Sequence, residues 1–165
     1  GYEGVSTVLL THLHLDHAGG LYHFDGTDVP IYVHEREIEF AYRSAKTDSG
    51  SIAYFAPDFE HDLNWTVVEG DRQLVSGVDL LHLPGHTPGL LGTRVDRDGE
   101  TLLVVGDEAY WQENYEGQSM AASLLWDNQA WKESLAYVQD LERRTDADVL
   151  LGHDVAMLDR FGDVW

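Results

Sequence analysis

The sequence predicts a mixed fold of the α/β (α+β) class, in which helices pack against β-sheet. Short apolar runs repeatedly end on polar residues, two longer segments carry apolar residues at helical spacing, and glycine- or proline-containing turns separate them. The chain of 165 residues is long enough to bury a core drawn from its 43% hydrophobic residues. We therefore predict a single domain over residues 1–165.

The first part of the chain combines two strand patterns with one helix pattern. The β-branched, apolar run over residues 5–10 predicts a buried strand that ends at Thr11 and His12, and residues 30–33 predict a second strand. Residues 34–45 carry apolar side chains at helical spacing, which is typical of an amphipathic helix. The polar segment 47–64 is unusually long for a connection and is predicted to be a functional loop. Four nearby aromatic residues are expected in the core rather than in a pocket: Tyr54, Phe55, Phe59 and Trp65.

The second part predicts a series of strands followed by a long helix. Short strand patterns cover residues 66–68, 73–75 and 78–83, and a hairpin that turns at Asp98 and Gly99 joins strands over residues 90–95 and 101–105. A helix is predicted over residues 127–144 with Asp127 as its N-cap, and a last strand over residues 149–151. We expect both parallel and antiparallel strand pairing.

The charge balance excludes one class of partner. The 30 acidic residues against 10 basic ones give a formal net charge of -20, and such a field repels nucleic acid and anionic membrane surfaces. Only Lys46 and Lys132 represent lysine, and an acid-rich, lysine-poor surface suits a salt-rich cytoplasm because ions screen its self-repulsion. We expect a halophilic source, a cytoplasmic location, and neither nucleic acid nor membrane as a partner.

The start of the chain is unusual. No apolar run approaches the roughly 20 residues of a membrane span, and no signal peptide is visible. The first residue is Gly1 rather than methionine, and a buried-looking strand follows almost at once. We therefore expect that the N-terminal part of the natural protein is missing.

Histidine and aspartate residues with metal-binding chemistry follow the predicted strands. The six residues from His12 to His17 hold three imidazoles and a carboxylate, and later strand-end loops supply His86, Asp107 and His153. The chain has no cysteine, so a metal would be held by imidazole and carboxylate, which are zinc ligands. In an extended segment alternate side chains share one side, and a turn at Asp16 and His17 would direct neighbours differently. One short segment can therefore provide ligands for two adjacent metal ions.

This pattern resembles the metallo-β-lactamase superfamily, whose signature His-x-His-x-Asp-His precedes a separate His, Asp and His on later loops. The resemblance implies an αββα sandwich, of which this chain would be an N-terminally truncated portion. It also implies two Zn²⁺ ions, with other divalent metals as substitutes. His12, His14 and His86 would hold the first ion, and Asp16, His17 and His153 the second. Asp107 would bridge the two, and a hydroxide between the metals would attack an ester or lactone.

Within that superfamily, the chain is most similar to N-acyl homoserine lactone lactonases, which are quorum-quenching enzymes. The similar stretches are residues 11–20, 63–65, 68–71 and 83–89, and above all Asp107-Glu108-Ala109-Tyr110 followed by Glu113-Asn114. The resemblance implies that Tyr110 donates its phenolic proton toward the lactone carbonyl oxygen. It also implies that Asp16 or Asp107 passes a proton to the leaving alkoxide. Leu15 stands where these lactonases often have an aromatic residue, so the resemblance leaves the acyl-chain preference open.

Two alternatives to a lactonase stay open. One is another ester hydrolase of the superfamily, such as a glyoxalase-II-like thioesterase or an organophosphate or aryl-ester hydrolase. The other is a non-catalytic metal-binding remnant. A redox role like that of flavodiiron proteins is disfavoured, because those proteins normally have a carboxylate at the second histidine of the motif and this chain has His14 there. Four histidines outside the signature are predicted to be structural or exposed: His23, His34, His61 and His82.

Overall fold

The computed structural model describes residues 2–117 and 120–161, and within these ranges it confirms a mixed fold of sheets and helices. The chain divides into two compact units, Gly1–Gly70 and Asp71–Trp165. The single domain over residues 1–165 stays a prediction. None of the helices in the described ranges combines the length and the apolar character that a membrane span requires.

The first unit contains a parallel sheet of three strands in the order β1, β2, β3, which cover Val8–Leu9, Ile31–His34 and Trp65–Val68. The predicted strand over residues 5–10 is wrong in extent, because only Val8 and Leu9 pair with β2. The residues before them are exposed, and the backbone N–H of Val5 donates to Tyr2 in a 3₁₀ turn instead. The apolar run indicates that these residues favour a strand, but the length of the strand depends on how many residues the partner strand pairs with.

Among the described residues of this unit, three α-helices accompany the sheet: α1, α2 and α3, over Leu15–Ala18, Glu35–Lys46 and Ala56–Phe59. The predicted amphipathic helix is confirmed as α2, and the side chain of His34 caps it by accepting from the Arg36 N–H at 3.1 Å. The predicted loop over residues 47–64 contains the short helix α3. Tyr54 and Phe59 lie in the core as expected, and Trp65 packs against it, but Phe55 is exposed.

The second unit is built on a five-stranded sheet in the order β4, β5, β6, β7, β8. These strands cover Arg72–Val75, Val78–His82, Leu91–Arg97, Glu100–Gly106 and Asp148–Leu151, so each predicted strand in this part is confirmed within a few residues. Strands β4 to β7 pair antiparallel and β8 pairs parallel with β7, which confirms the expected mixture of pairings. The short helices α4 (Gln112–Tyr115) and α6 (Ala156–Phe161) were not predicted. A helix of four to six residues is too short to show a clear periodicity of apolar residues.

The long helix α5, Asn128–Thr145, covers the core side of this sheet. Asp127 is its N-cap, as predicted, because its carboxylate accepts from the Gln129 and Ala130 N–H groups at 2.8 and 2.9 Å. The helix packs its apolar face against alternate residues of β7 and β8, and burying each large side chain contributes roughly 2 kcal/mol.

The pairing of the second sheet brings three loops to one edge. Leu151 pairs in parallel with Gly106, so the carboxyl ends of β7 and β8 lie side by side. β6 runs antiparallel to both β5 and β7, which places the β5–β6 loop at the same end. These three loops carry His86, Asp107 and His153.

Candidate metal centre

The predicted metal ligands fall into two groups, one in each compact unit. In the first unit the His12 ring lies 4.7 Å from the His14 ring and 4.1 Å from the His17 ring, between centroids. An Asp16 carboxylate oxygen lies 3.7 Å from Nε2 of His17. The chain turns one residue earlier than expected, since α1 begins at Leu15 and His14 occupies its N-cap position. All four predicted ligands of the signature segment therefore form one cluster.

The hydroxyl of Thr11 contacts two of these imidazoles. Its Oγ1 lies 3.2 Å from Nδ1 of His12 and 3.3 Å from Nδ1 of His17. A hydroxyl oxygen can accept from both Nδ1–H groups, which selects the tautomer that leaves Nε2 of each ring as a metal donor. The sequence analysis did not assign this role to Thr11, and the available signal was its position directly before the signature.

In the second unit, Asp107 presents each of its carboxylate oxygens to a different imidazole. Oδ2 lies 3.2 Å from Nε2 of His86, and Oδ1 lies 3.2 Å from Nε2 of His153. Asp107 is only 1% exposed. Both oxygens of this buried carboxylate are thus donor atoms that lie next to an imidazole nitrogen. The donor set also fits zinc, because it consists of imidazole and carboxylate in a chain without cysteine.

A backbone carbonyl fixes the orientation of the His86 ring. Nδ1 of His86 lies 2.6 Å from the carbonyl oxygen of Leu124, so the Nδ1–H donates there and Nε2 is directed toward Asp107. The loop itself is held by the N–H of Trp126, which donates to the Gly85 carbonyl at 2.9 Å. Residues far along the chain thus position the side chain of His86.

Backbone hydrogen bonds place His153 next to Asp107. The N–H groups of Gly152 and His153 donate to the carbonyls of Ala109 and Tyr110 at 3.0 and 3.1 Å. A Cβ atom at position 152 would lie 2.7 Å from the Gly106 carbonyl oxygen and 2.8 Å from Oδ1 of Asp107. This close approach of the two loops requires glycine at position 152.

Tyr110 lies beside the predicted metal ligands of the second unit. Its half-buried ring is 4.5 Å from the ring of His153 and 5.7 Å from that of His86, between centroids. The loop that carries Asp107 therefore also carries a phenol that packs against two predicted metal ligands. The structure thus places Tyr110 next to His86 and His153.

Glu108 is a buried carboxyl group that the sequence analysis did not single out. It is 0% exposed, and neither of its carboxylate oxygens has a hydrogen-bond partner among the described residues. Burial raises the pKa of Glu108 well above its ordinary value. Its main-chain carbonyl accepts from the indole N–H of Trp131 at 2.7 Å. The backbone at Glu108 is thus held in place, while its side chain has no hydrogen-bond partner in the part of the chain that the structure describes.

We expect Glu108→Gln to stabilise the metal-free protein progressively as the pH rises. With its pKa raised, Glu108 keeps its proton in the folded protein after the unfolded chain has released it, so unfolding releases a proton and stability falls above about pH 4.5. The stability difference between variant and wild type should grow by up to about 1.4 kcal/mol per pH unit until the pKa of the folded state is reached.

Urea unfolding in the presence of a chelator, from about pH 5 to about pH 8, measures this difference. Glu100→Gln, which changes an exposed carboxyl group on β7, is the matched control and should show no such trend. A pH-independent difference for Glu108→Gln would contradict the prediction.

The histidines outside the signature have other surroundings. His23 is exposed and stacks on Tyr2 at 4.0 Å between ring centroids, and His34 caps α2. Nε2 of His82 lies 3.0 Å from the Pro88 carbonyl oxygen and so secures the loop that carries His86. His61 is half-buried. For His23, His34 and His82 these surroundings match the expected structural or exposed roles.

Comparison with known proteins identifies the sequence family. Residues 3–153 match the sequence profile of the Metallo-beta-lactamase superfamily. An N-acyl homoserine lactonase from a Bacillus species is 34% identical over 159 residues, which cover 94% of this chain and 59% of that protein. N-acyl homoserine lactonase AiiB of Agrobacterium fabrum is 33% identical over 161 residues, with coverages of 92% and 58%.

Solved structures give the same result for the fold. The crystal structure of a Bacillus thuringiensis AiiA variant with N-decanoyl-L-homoserine bound at its active site superposes with a TM-score of 0.82 at 27% identity. The match covers 96% of this chain and 59% of that one. The chain thus spans less than two thirds of the length of these relatives, and over that span it shares their fold.

Proposed function

Because the chain belongs to the metallo-beta-lactamase superfamily, we propose that it acts as a dinuclear zinc hydrolase that opens the ring of N-acyl homoserine lactones. The main support is the geometry of Asp107, whose two oxygens each lie 3.2 Å from Nε2 of a different histidine. A single buried carboxylate in this arrangement is suited to two cations rather than one.

Seven side chains would hold the two ions in the order of the family signature. His12, His14 and His86 would bind the first ion, and Asp16, His17 and His153 the second, with Asp107 as the shared ligand. Thr11 and the Leu124 carbonyl favour this assignment, because they lie against Nδ1 of three of these histidines and leave Nε2 as the donor.

Two zinc ions bound by these residues would activate water as a nucleophile at neutral pH and polarise the carbonyl under attack. The protein's own groups would handle the protons. The phenol of Tyr110, packed against His153, would donate toward the carbonyl oxygen as negative charge develops there. The side chain of Asp16 is 50% exposed, so its carboxylate can exchange protons with solvent and pass one to the leaving alkoxide.

The lactone substrate is supported by similarity to characterised proteins. The curated relatives are named N-acyl homoserine lactonases. One solved relative, 27% identical, has the product N-hexanoyl-L-homoserine bound at its catalytic metal center. The stretch from Asp107 to Asn114 carries the most specific sequence resemblance to these lactonases, and Tyr110 lies within it.

We expect Tyr110→Phe to lower kcat/KM for a homoserine lactone by on the order of 10²-fold while zinc content stays unchanged, because only the phenolic donor is lost. Acid release from a homoserine lactone, a thioester and a phosphotriester, followed side by side, measures the effect. Tyr137→Phe is a matched control, since its hydroxyl donates to Asp71 at 2.8 Å and belongs to a different hydrogen bond.

The same assay tests the lactone assignment. Preference of the wild type for the thioester or the phosphotriester would overturn it in favour of another ester hydrolase of the superfamily. Bound zinc with no turnover of any of the three substrates would instead indicate a non-catalytic metal-binding remnant.

A further inference from the structure

A glutamate of the first unit is buried directly beneath the signature segment. Glu37 on α2 is 0% exposed, and its Oε1 accepts two hydrogen bonds, one from the backbone N–H of Leu13 and one from the hydroxyl of Tyr54, both at 2.9 Å. On the same face of the helix, Ala41 and Ser44 are also buried. A carboxyl group has thus been placed where a helix normally buries apolar atoms.

Both donors lie next to predicted metal ligands. Leu13 lies between His12 and His14, and its N–H belongs to the His12–Leu13 peptide, so this hydrogen bond fixes the orientation of the backbone between the two predicted ligands. Tyr54 is 5% exposed, and its ring packs edge-on against the ring of His14, with 4.6 Å between centroids and 64° between planes. One oxygen atom of Glu37 therefore contacts the backbone between two ligands and also holds the aromatic ring that supports one of them.

A further backbone bond completes this support. The N–H of Leu15 donates to the carbonyl of Ala53 at 3.0 Å, next to Tyr54. The two residues that alternate with the histidines, Leu13 and Leu15, are thus both tied down through their N–H groups. His14 has an extended backbone and α1 begins only at Leu15, so alternation about Leu13 directs His12 and His14 to the side opposite the Leu13 side chain.

We propose that Glu37, together with Tyr54, is a positioning residue that sets the geometry of His12 and His14 for metal binding. This inference rests on the proposed function in assuming that these histidines are metal ligands. Partners of this kind behind metal ligands typically change metal affinity by about 10- to 100-fold when they are removed. Glu37 contributes through its acceptor oxygen, so glutamine, which keeps an amide oxygen at the same place, should largely replace it.

The test compares four substitutions in the full chain. Glu37→Leu removes the acceptor, Glu37→Gln retains one, and Tyr54→Phe removes only the hydroxyl. Glu39→Leu makes the same change at an exposed position of the same helix and serves as the control. Zinc affinity by chelator competition, the visible absorption spectrum of the Co²⁺-substituted protein, and the melting temperature of the metal-free protein are measured for each.

We expect Glu37→Leu to weaken zinc binding by about tenfold or more and to alter the Co²⁺ spectrum. Tyr54→Phe should do the same to a smaller extent, while Glu37→Gln and Glu39→Leu stay close to wild type. If Glu37→Leu does not fold, the zinc affinities and Co²⁺ spectra of Tyr54→Phe and Glu37→Gln are compared instead, and they decide whether the inference holds. Wild-type zinc affinity and an unchanged Co²⁺ spectrum in Tyr54→Phe, or in a folded Glu37→Leu, would overturn the inference.

The proposed function is tested separately by the wild type. A wild-type chain that binds no zinc would contradict the proposed function itself. A wild type that binds zinc and opens lactones, together with an unaffected Glu37→Leu, would contradict only the role of Glu37.

Discussion

Asp107→Ala should remove bound metal and hydrolytic activity together. Both oxygens of this carboxylate lie against imidazole nitrogens, so in the proposed site two cations would lose the anion that they share. We expect zinc to fall from two ions per chain to one or none, and kcat/KM for a homoserine lactone to fall by about 10³-fold or more. Elemental analysis of the purified variant and an acid-release assay measure the two effects.

A second aspartate substitution separates loss of metal from general damage. Asp48→Ala changes an exposed aspartate in the connection after α2 and should leave zinc content and activity unchanged. Circular dichroism of both variants without metal shows whether the fold is intact. Full activity with both zinc ions retained in Asp107→Ala would be incompatible with a bridging carboxylate.

Gly85→Ala should destabilise the second unit and displace His86. A Cβ atom at position 85 would lie 2.4 Å from Cα and 2.8 Å from the backbone nitrogen of Trp131, in the first turn of α5. Backbone atoms cannot move aside as the end of a flexible side chain can, so either the loop or the helix must shift. We expect a loss of about 3 kcal/mol in the free energy of unfolding, measured by urea denaturation, and weaker zinc binding.

Gly20→Ala provides the comparison for this steric argument. Among the described residues, no heavy atom outside its immediate chain neighbours lies within 4 Å of a Cβ at position 20, and its φ of -92° suits any residue. This variant should match the wild type in stability within about 0.5 kcal/mol. Equal stabilities of Gly85→Ala and Gly20→Ala would show that α5 does not pack on the loop as closely as described.

These predictions share a structural basis in the second sheet. The parallel pairing of β8 with β7 and the antiparallel path through β5 and β6 deliver three loops to one edge. Each loop is then tied by backbone hydrogen bonds or by close approach at a glycine. The predicted metal ligands of this unit therefore depend on the sheet for their position and on the loops for their orientation.

Many of the candidate metal ligands, turns and caps could be predicted from the sequence, because they depend on local patterns. The spacing from His12 to His17, the turn at Asp98 and Gly99, and the N-cap at Asp127 involve residues within a few positions of one another. Residue type alone indicated imidazole and carboxylate ligands in a chain without cysteine. The long helix and the strands of the second unit followed from periodicity, with errors mainly at their ends.

The sequence by itself determined which side chains are available as metal ligands and, apart from the short helices, which segments form helices and strands. Only the tertiary structure decided how those side chains are held: Glu37 accepts from the Leu13 N–H, the Leu124 carbonyl lies against His86, and α5 packs against Gly85. It also decided that strand β1 is limited to Val8 and Leu9, and that the carboxyl group of Glu108 is buried. The physical reason is that burial and hydrogen-bond partners are set by contacts between residues far apart in the chain, such as Leu124 and His86, 38 positions apart, and no local pattern encodes them.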